Sequence, residues 1–246
     1  MKSKVRLGTS GFGVSRDKYV NLFPCVEVQH TFYQPPRIST LERWRQETPA
    51  DFEFVLKAWQ LITHEAKSPT YRRLKRKLTE TEKRDAGYFK PTSTVKEAWE
   101  FTLACAQALH SKTILFQCPV SFNQTKEHIS NLDRFFSSIN RGNLNCCWEP
   151  RGAWDTEVIT SICEAHKLWH VVDPFTGNTV TPTHCYFRLH GKNGWRYTYD
   201  DAELEELASL LPEASITSSR PYVFFNNIQM TADALRFQKI IENSKL

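Results

Sequence analysis

The 246-residue chain is 40% hydrophobic and 13% aromatic, enough for a large core, which excludes a disordered or low-complexity protein. A formal charge of +5 is mildly basic and permits an anionic partner without requiring one. No run reaches the roughly 20 apolar residues that span a bilayer. The basic start MKSKVRLGTS lacks a signal-like apolar run, and seven cysteines without a CxxC pair argue against a disulfide framework. The expectation is a reduced, cytoplasmic protein with no membrane association.

Short apolar or β-branched runs occur at VRLGTS (5–10), PCVEVQ (24–29), FEFVLKA (52–58) and TILFQCP (113–119). They continue at NCCWEP (145–150), LWHVVD (168–173), CYFRLH (185–190) and YVFFNN (222–227). Helical patterns separate them. STLE (39–42) and TVKE (94–97) read as capping boxes, whose side chains satisfy free helix N–H groups. Val95, Trp99, Leu103, Ala106 and Leu109 recur near the helical period after Thr94. Further helices are predicted after Thr125, Asp155 and Asp201, the last through Leu211, and a final one opens at Thr231.

Strand–helix alternation implies parallel strands joined by right-handed crossovers. Eight such units in one undivided chain predict an α/β fold, an irregular TIM-type (β/α)8 barrel forming a single domain over 1–246. An open doubly wound sheet is the runner-up, but GTSGFG (8–13) does not meet the dinucleotide-binding spacing. Two irregularities stand out. PFTGNTVTPTH, after the sixth strand, is too short for a crossover helix, and the connection after the third strand is unusually long. That long connection contains KSPTYRRLKRKLTETEKR (67–84), a basic stretch readable as a solvated helix face or a phosphate-contacting edge.

Function in such barrels sits where strands run into the loops that follow them. Every predicted strand ends in polar groups: Thr9 and Ser10; Glu27, Gln29 and His30; Lys57; Gln117; Glu149 and Arg151; Asp173; Arg188 and His190; Asn226 and Asn227. Residues two apart on a strand share a face, so Glu27 is expected to point with Gln29, and Arg188 with His190. Buried charge needs a partner. Lys57, Arg151 and Arg188 are the expected partners of Glu27, Glu149 and Asp173. Gly11 and Gly13 precede a helix start near Ser15, which is readable either as an anion-binding turn or as a plain glycine turn. Tyr33 and Trp154 are among several aromatics near these ends, suited to stacking on flat or sugar-bearing ligands. No HExxH, HxH or CxxC spacing occurs, so no metal ligand is assigned, the cofactor is left unknown and a divalent metal is not favoured.

GTSGF (8–12), VEVQHTFYQPP (26–36), FVLKAWQLITH (54–64), FQCPVSF (116–122), WEPRGAW (148–154), YFRLHG (186–191) and FFNN (224–227) together resemble the YecE-like family, domain of unknown function 72. The resemblance spans nearly the whole chain and implies a TIM-type barrel. It matches signature positions to Glu27, Thr31, Phe32, Tyr33, Lys57, His64, Gln117, Glu149, Arg151, Asp173, Arg188, His190 and Asn227. Phe12 and Gln29 stand where Trp and Asn are common in that family. It implies no activity.

The combination of carboxylates, histidines and cations suits a hydrolase or transferase acting on an anionic substrate, such as a phosphorylated sugar or nucleic acid. The candidate catalytic residues are Glu27, His64, Glu149, Asp173 and His190, with Glu149 or Glu27 as base and His190 or His64 as acid. The candidate substrate-binding residues are Ser10, Gln29, Tyr33, Lys57, Gln117, Arg151, Trp154, Arg188, Asn226 and Asn227, the cations holding the anion. The alternative is a non-catalytic nucleic-acid-binding module that uses residues 67–84 and the cationic strand ends. No protein partner is inferable.

Overall fold

The structure is a computed structural model that describes residues 5–211 and 220–243. Eight strands occur among them: β1 (Arg6–Thr9), β2 (Cys25–Val28), β3 (Glu53–Lys57), β4 (Thr113–Gln117), β5 (Asn145–Glu149), β6 (Trp169–Val172), β7 (Tyr186–Leu189) and β8 (Tyr222–Phe225). Each lies inside one of the predicted runs. The helices are α1 (Arg16–Tyr19), α2 (His30–Tyr33), α3 (Ile38–Gln46), α4 (Gln60–Thr63), α5 (Glu80–Asp85), α6 (Ser93–Ala108), α7 (Lys126–Ser138), α8 (Thr156–His166), α9 (Asp201–Ser209) and α10 (Met230–Asn243), with a 3-10 turn at Pro69–Arg73. The strand order is β1-β8-β7-β6-β5-β4-β3-β2. The first strand beside the last is the ordering of a closed (β/α)8 sheet. Strands β2, β6, β7 and β8 are buried at every position, as expected for parallel strands covered on both faces.

The chain divides into two compact units: Met1–Glu27 with Thr48–Glu53 and Trp169–Leu246, and Val28–Glu47 with Phe54–Leu168. In the first unit β1 pairs β8 with Gly8 opposite Phe224, β8 pairs β7 with Phe224 opposite Arg188, and β7 pairs β6. Gly8 admits no side chain, because a Cβ there would lie 2.3 Å from the Cys25 carbonyl oxygen. At the N-terminal ends of these strands, Glu53 accepts from Arg6 at 2.8 Å and from the Tyr222 hydroxyl at 2.7 Å. Arg220 joins at 3.4 Å. The link from β6 to β7 holds no helix, as its length requires. Instead it is laced to β6: the Val180 N–H donates to His170 Nδ1 at 3.2 Å, and the His170 N–H donates to Thr181 Oγ1 at 2.9 Å.

In the second unit β4 pairs both β3 and β5 in parallel. Phe89, Trp99, Phe116, Phe122, Phe135 and Phe136 form its aromatic core, with Phe89 ring contacts to Phe122, Phe135 and Phe136 at 5.5, 5.2 and 5.6 Å. Phe89 takes a left-handed backbone (φ 52°), a conformation that side chains disfavour, and is fully buried in that cluster.

Several local expectations need correction. Neither predicted capping box forms. Helix α3 starts at Ile38 with Arg37 as cap, so Ser39 lies inside it; α6 starts at Ser93 with Thr92 as cap, so Thr94 also lies inside. Each helix begins ahead of the residue chosen from pattern. True boxes form at Thr79–Glu82 and Asp200–Glu203. Helix α9 ends at Ser209, short of Leu211, and α10 begins one residue before Thr231. The helix after Ser15 is a single turn, too short to concentrate positive potential on an anion. No described helix is long and apolar enough to cross a membrane.

Candidate functional site

In the first unit, chemistry is built around Glu27, the third residue of β2, whose side chain is fully buried. Its two oxygens are heavily engaged. Oε1 accepts from Ser10 Oγ at 3.0 Å and Arg188 Nη2 at 2.8 Å; Oε2 accepts from Arg188 Nε at 2.9 Å and the Tyr186 hydroxyl at 2.5 Å. This is a two-pronged guanidinium–carboxylate pair, the geometry that best offsets the loss of solvation of both ions. β7 makes it by alternation: Tyr186, Arg188 and His190 are spaced two apart, so the first two reach the same carboxylate. Tyr186 escaped the sequence reading, although its position two before Arg188 was the signal that would have found it.

Arg188 is itself fully buried, and two of its nitrogens are spent on Glu27. The expectation that it grips an anion through an open fork therefore changes. Its remaining nitrogen, Nη1, lies 3.4 Å from His190 Nε2. His190 is half-buried, and its Nδ1 lies 3.1 Å from Asn226 Nδ2. If Asn226 presented its oxygen there instead, Nδ1 would carry the proton and Nε2 would become the acceptor facing the Arg188 cation. That tautomer avoids two donors meeting at Nε2.

Asp173 behaves differently from expectation. Its carboxylate accepts the backbone N–H of His190 at 3.0 Å and of Phe175 at 3.1 Å, and it makes no ion pair among the described residues. It fixes the main chain on which the imidazole stands. The next turn is held by Gly191, left-handed at φ 84°, whose N–H donates to the Tyr199 hydroxyl at 2.8 Å. Asn227, by contrast, is a clasp: its Nδ2 donates to Asp233 Oδ2 at 2.6 Å and to the Tyr197 carbonyl at 2.8 Å. Asp233, fully buried on α10, was not anticipated from sequence.

The second unit carries its own polar group. Glu149, buried at the end of β5, stands opposite Gln117 in the β4–β5 register, and Arg151 Nη1 lies 3.5 Å from its Oε1. Arg151 was among the cations expected to pair with the strand-end carboxylates. Trp154 donates its indole N–H to the Phe122 carbonyl at 2.7 Å and packs edge-on against Trp148. Lys57 is buried, with Nζ 3.9 Å over the Phe32 ring. His64 is buried beside that lysine; burial first, and then the Lys57 charge, holds its imidazolium pKa down to about 3. That favours the neutral ring, with Nδ1 2.8 Å from Thr63 Oγ1, and weighs against an acid role as imidazolium.

Gln29 departs from the expected pleat. The strand stops at Val28, and Gln29 takes helical angles (φ −84°, ψ −24°) as the cap of α2, so alternation no longer ties it to Glu27. Tyr33 is stacked by Arg73, with Cζ 3.5 Å from the ring centre. Among the described residues no group of three His, Cys, Asp or Glu is placed to hold a metal ion.

Eight strands alternating with helices, in an order that sets β1 beside β8, with polar side chains at the C-terminal strand ends, define a TIM-type (β/α)8 barrel protein. The chain belongs to the family described as Protein of unknown function DUF72, whose profile matches residues 15–245. It is 27% identical to UPF0759 protein YunF of Bacillus subtilis over 85% of this chain and 79% of that one. A shorter match, 39% identical over 62 residues, covers 25% of this chain and 21% of UPF0759 protein YecE of Escherichia coli. A solved DUF72 family protein from Thermotoga maritima superposes with a TM-score of 0.75 at 24% identity, covering 97% of this chain and 99% of that one. An AP endonuclease, family 2, from Brucella melitensis shares the fold at a TM-score of 0.57 and 11% identity, over 95% of this chain and 96% of that one.

Proposed function

We propose that the protein is an enzyme of the hydrolase or transferase type, acting on an anionic phosphoester such as a phosphorylated sugar or nucleic acid. The observation that carries this reading is the buried Glu27–Arg188 pair with half-buried His190 beside it. His190 is the proposed proton-transfer group, positioned by Asp173 through its main chain and by Asn226 at Nδ1. Glu27 is no longer the proposed base, since its carboxylate is fully buried with both oxygens held by hydrogen bonds, whereas His190 is half-buried. Its role is to hold Arg188 so that the remaining guanidinium nitrogen, Nη1, presents its N–H beside the imidazole. In the second unit, Glu149 with Gln117, Arg151 and Trp154 is proposed as a separate substrate-contacting group. Lys57, Ser10 and Asn227 act as supports, given the partners described above, whereas Tyr33 belongs with the basic segment through Arg73. The fold shared with an endonuclease supports a phosphoester substrate by analogy alone.

The test is a panel of phosphomonoesters and phosphodiesters, with sugar phosphates and oligonucleotides, turned over by wild type and His190→Asn. Loss of a general acid–base group is expected to lower kcat by about 10²- to 10⁴-fold with KM little changed. Unchanged turnover in His190→Asn would remove that residue from the mechanism. A binding module without turnover is the second reading, favoured by the exposed cations of residues 67–84. It predicts tight binding with no member of the panel consumed.

A further inference from the structure

We propose that residues 72–77 form a preorganised edge that grips the phosphate backbone of duplex nucleic acid, independently of base sequence. This deepens the binding reading given above. Arg72, Arg73, Lys75, Arg76 and Lys77 are all exposed. The segment carrying them is tied down rather than loose. The Tyr71 hydroxyl donates to the His64 carbonyl at 2.7 Å, the Lys75 N–H donates to Gln34 Oε1 at 3.1 Å, and Ser68 caps the 3-10 turn that Pro69 opens. A basic edge held in place loses little entropy when it meets a charged ligand.

The local acids do not neutralise it. On α5, Glu82 pairs with Arg76 at 2.6 Å, Glu80 with Lys83 at 2.7 Å and Asp85 with Arg84 at 3.2 Å. Each is matched by one cation. Arg72, Lys75 and Lys77 make no ion pair among the described residues. Arg73 lies over the Tyr33 ring, an arrangement that leaves guanidinium N–H edges for phosphate oxygens. Four positive charges in six residues thus remain for a polyanion.

The duplex is favoured over the single strand by what the aromatics are doing. Single strands bind by stacking unpaired bases on open rings. Tyr33 is covered by Arg73, and Trp59 is almost fully buried, with Arg76 5.6 Å from its ring. Of the rings near this edge, Phe101, packed 5.7 Å from Trp59, is the more open at 37% exposure. Point charges beside mostly covered rings suit a backbone whose bases are already paired.

The experiment measures binding of a fluorescent duplex of mixed sequence, across a salt series, to wild type and R72Q/R73Q/K75Q/K77Q. A control variant, K18Q/K112Q/K126Q/K239Q, removes the same number of exposed charges elsewhere. Each phosphate contact contributes about 0.9 to the slope of log K against log salt, so removing four should lower the slope by about 3.6 and the affinity at least about tenfold. The control variant and Phe101→Ala should bind as wild type does. Equal losses in both charge variants would overturn the proposal in favour of net charge alone. So would an absence of duplex binding by wild type at low salt. Tighter binding of the single strand, weakened by Phe101→Ala, would overturn the duplex assignment. Competition by polyglutamate as effective as competition by the duplex would point to an acidic protein instead. The edge variant should still turn over small phosphoesters, and His190→Asn should still bind the duplex, so this proposal and the catalytic one fail separately.

Discussion

A carboxylate at a strand end has two fates, and Glu27 and Asp173 illustrate them. Glu27 is sealed with a buried guanidinium, so its charge is spent inside the protein; Asp173 holds two backbone N–H groups and shapes a loop. Neither choice can be read from a one-dimensional string, because it depends on which side chain arrives from another strand. Breaking a buried pair by removing one partner leaves the other ion desolvated and uncompensated. Glu27→Gln should therefore cost about 3–5 kcal/mol of unfolding free energy. Adding Arg188→Met to Glu27→Gln should restore much of that, since an apolar side chain of similar length needs no counter-ion. Urea unfolding of wild type, both singles and the double variant measures it. A double variant no more stable than Glu27→Gln would show that the pair is not the unit that matters.

At the scale of elements, the strands were legible, as were the starts of α7 and α8 after Thr125 and Asp155, whereas the caps of α3 and α6 were not. Each strand is an apolar run because it is buried on both faces, and burial is what hydrophobic pattern reports. Capping depends on where the backbone first turns helical. Pro35 and Pro36 keep the chain extended until Arg37, and α3 then begins at once, leaving Ser39 with no cap to make. The two boxes that do form have reciprocal bonds. The Glu203 N–H donates to Asp200 Oδ1 at 2.8 Å, and the Asp200 N–H donates to Glu203 Oε2 at 2.9 Å. Asp200→Ala is expected to destabilise by about 1 kcal/mol, whereas Ser39→Ala should fall within about half that. Equal costs for the two, by chemical denaturation, would mean that the cap on α3 is made by Ser39 after all. The same logic explains the site. That strand ends are polar is visible as text, but the break of Gln29 from the pleat follows from its backbone angles, and the clasp of Asn227 from Asp233 on α10.

At the scale of the molecule, alternation carried the fold, because eight strand–helix repeats have few ways to be arranged in parallel. Burial likewise decides the chemistry of the cysteines. None of the seven is in a disulfide and all are buried. Loss of solvation pushes the Cys146 thiol up to about 11 and those of Cys105, Cys163 and Cys185 up to about 12. The thiolate is the reactive form, so near neutral pH each cysteine is short of both charge and access. Reaction with a disulfide reagent then requires the structure to open, and the opening that exposes several strands together is global. Native protein should release less than about one thiol equivalent in the time that denatured protein releases all of them, because inert buried thiols wait on unfolding. Under native conditions the labelling rate should rise with urea in step with the unfolding equilibrium. Rapid modification of any single cysteine, independent of urea, would locate a region that opens on its own and would contradict uniform burial.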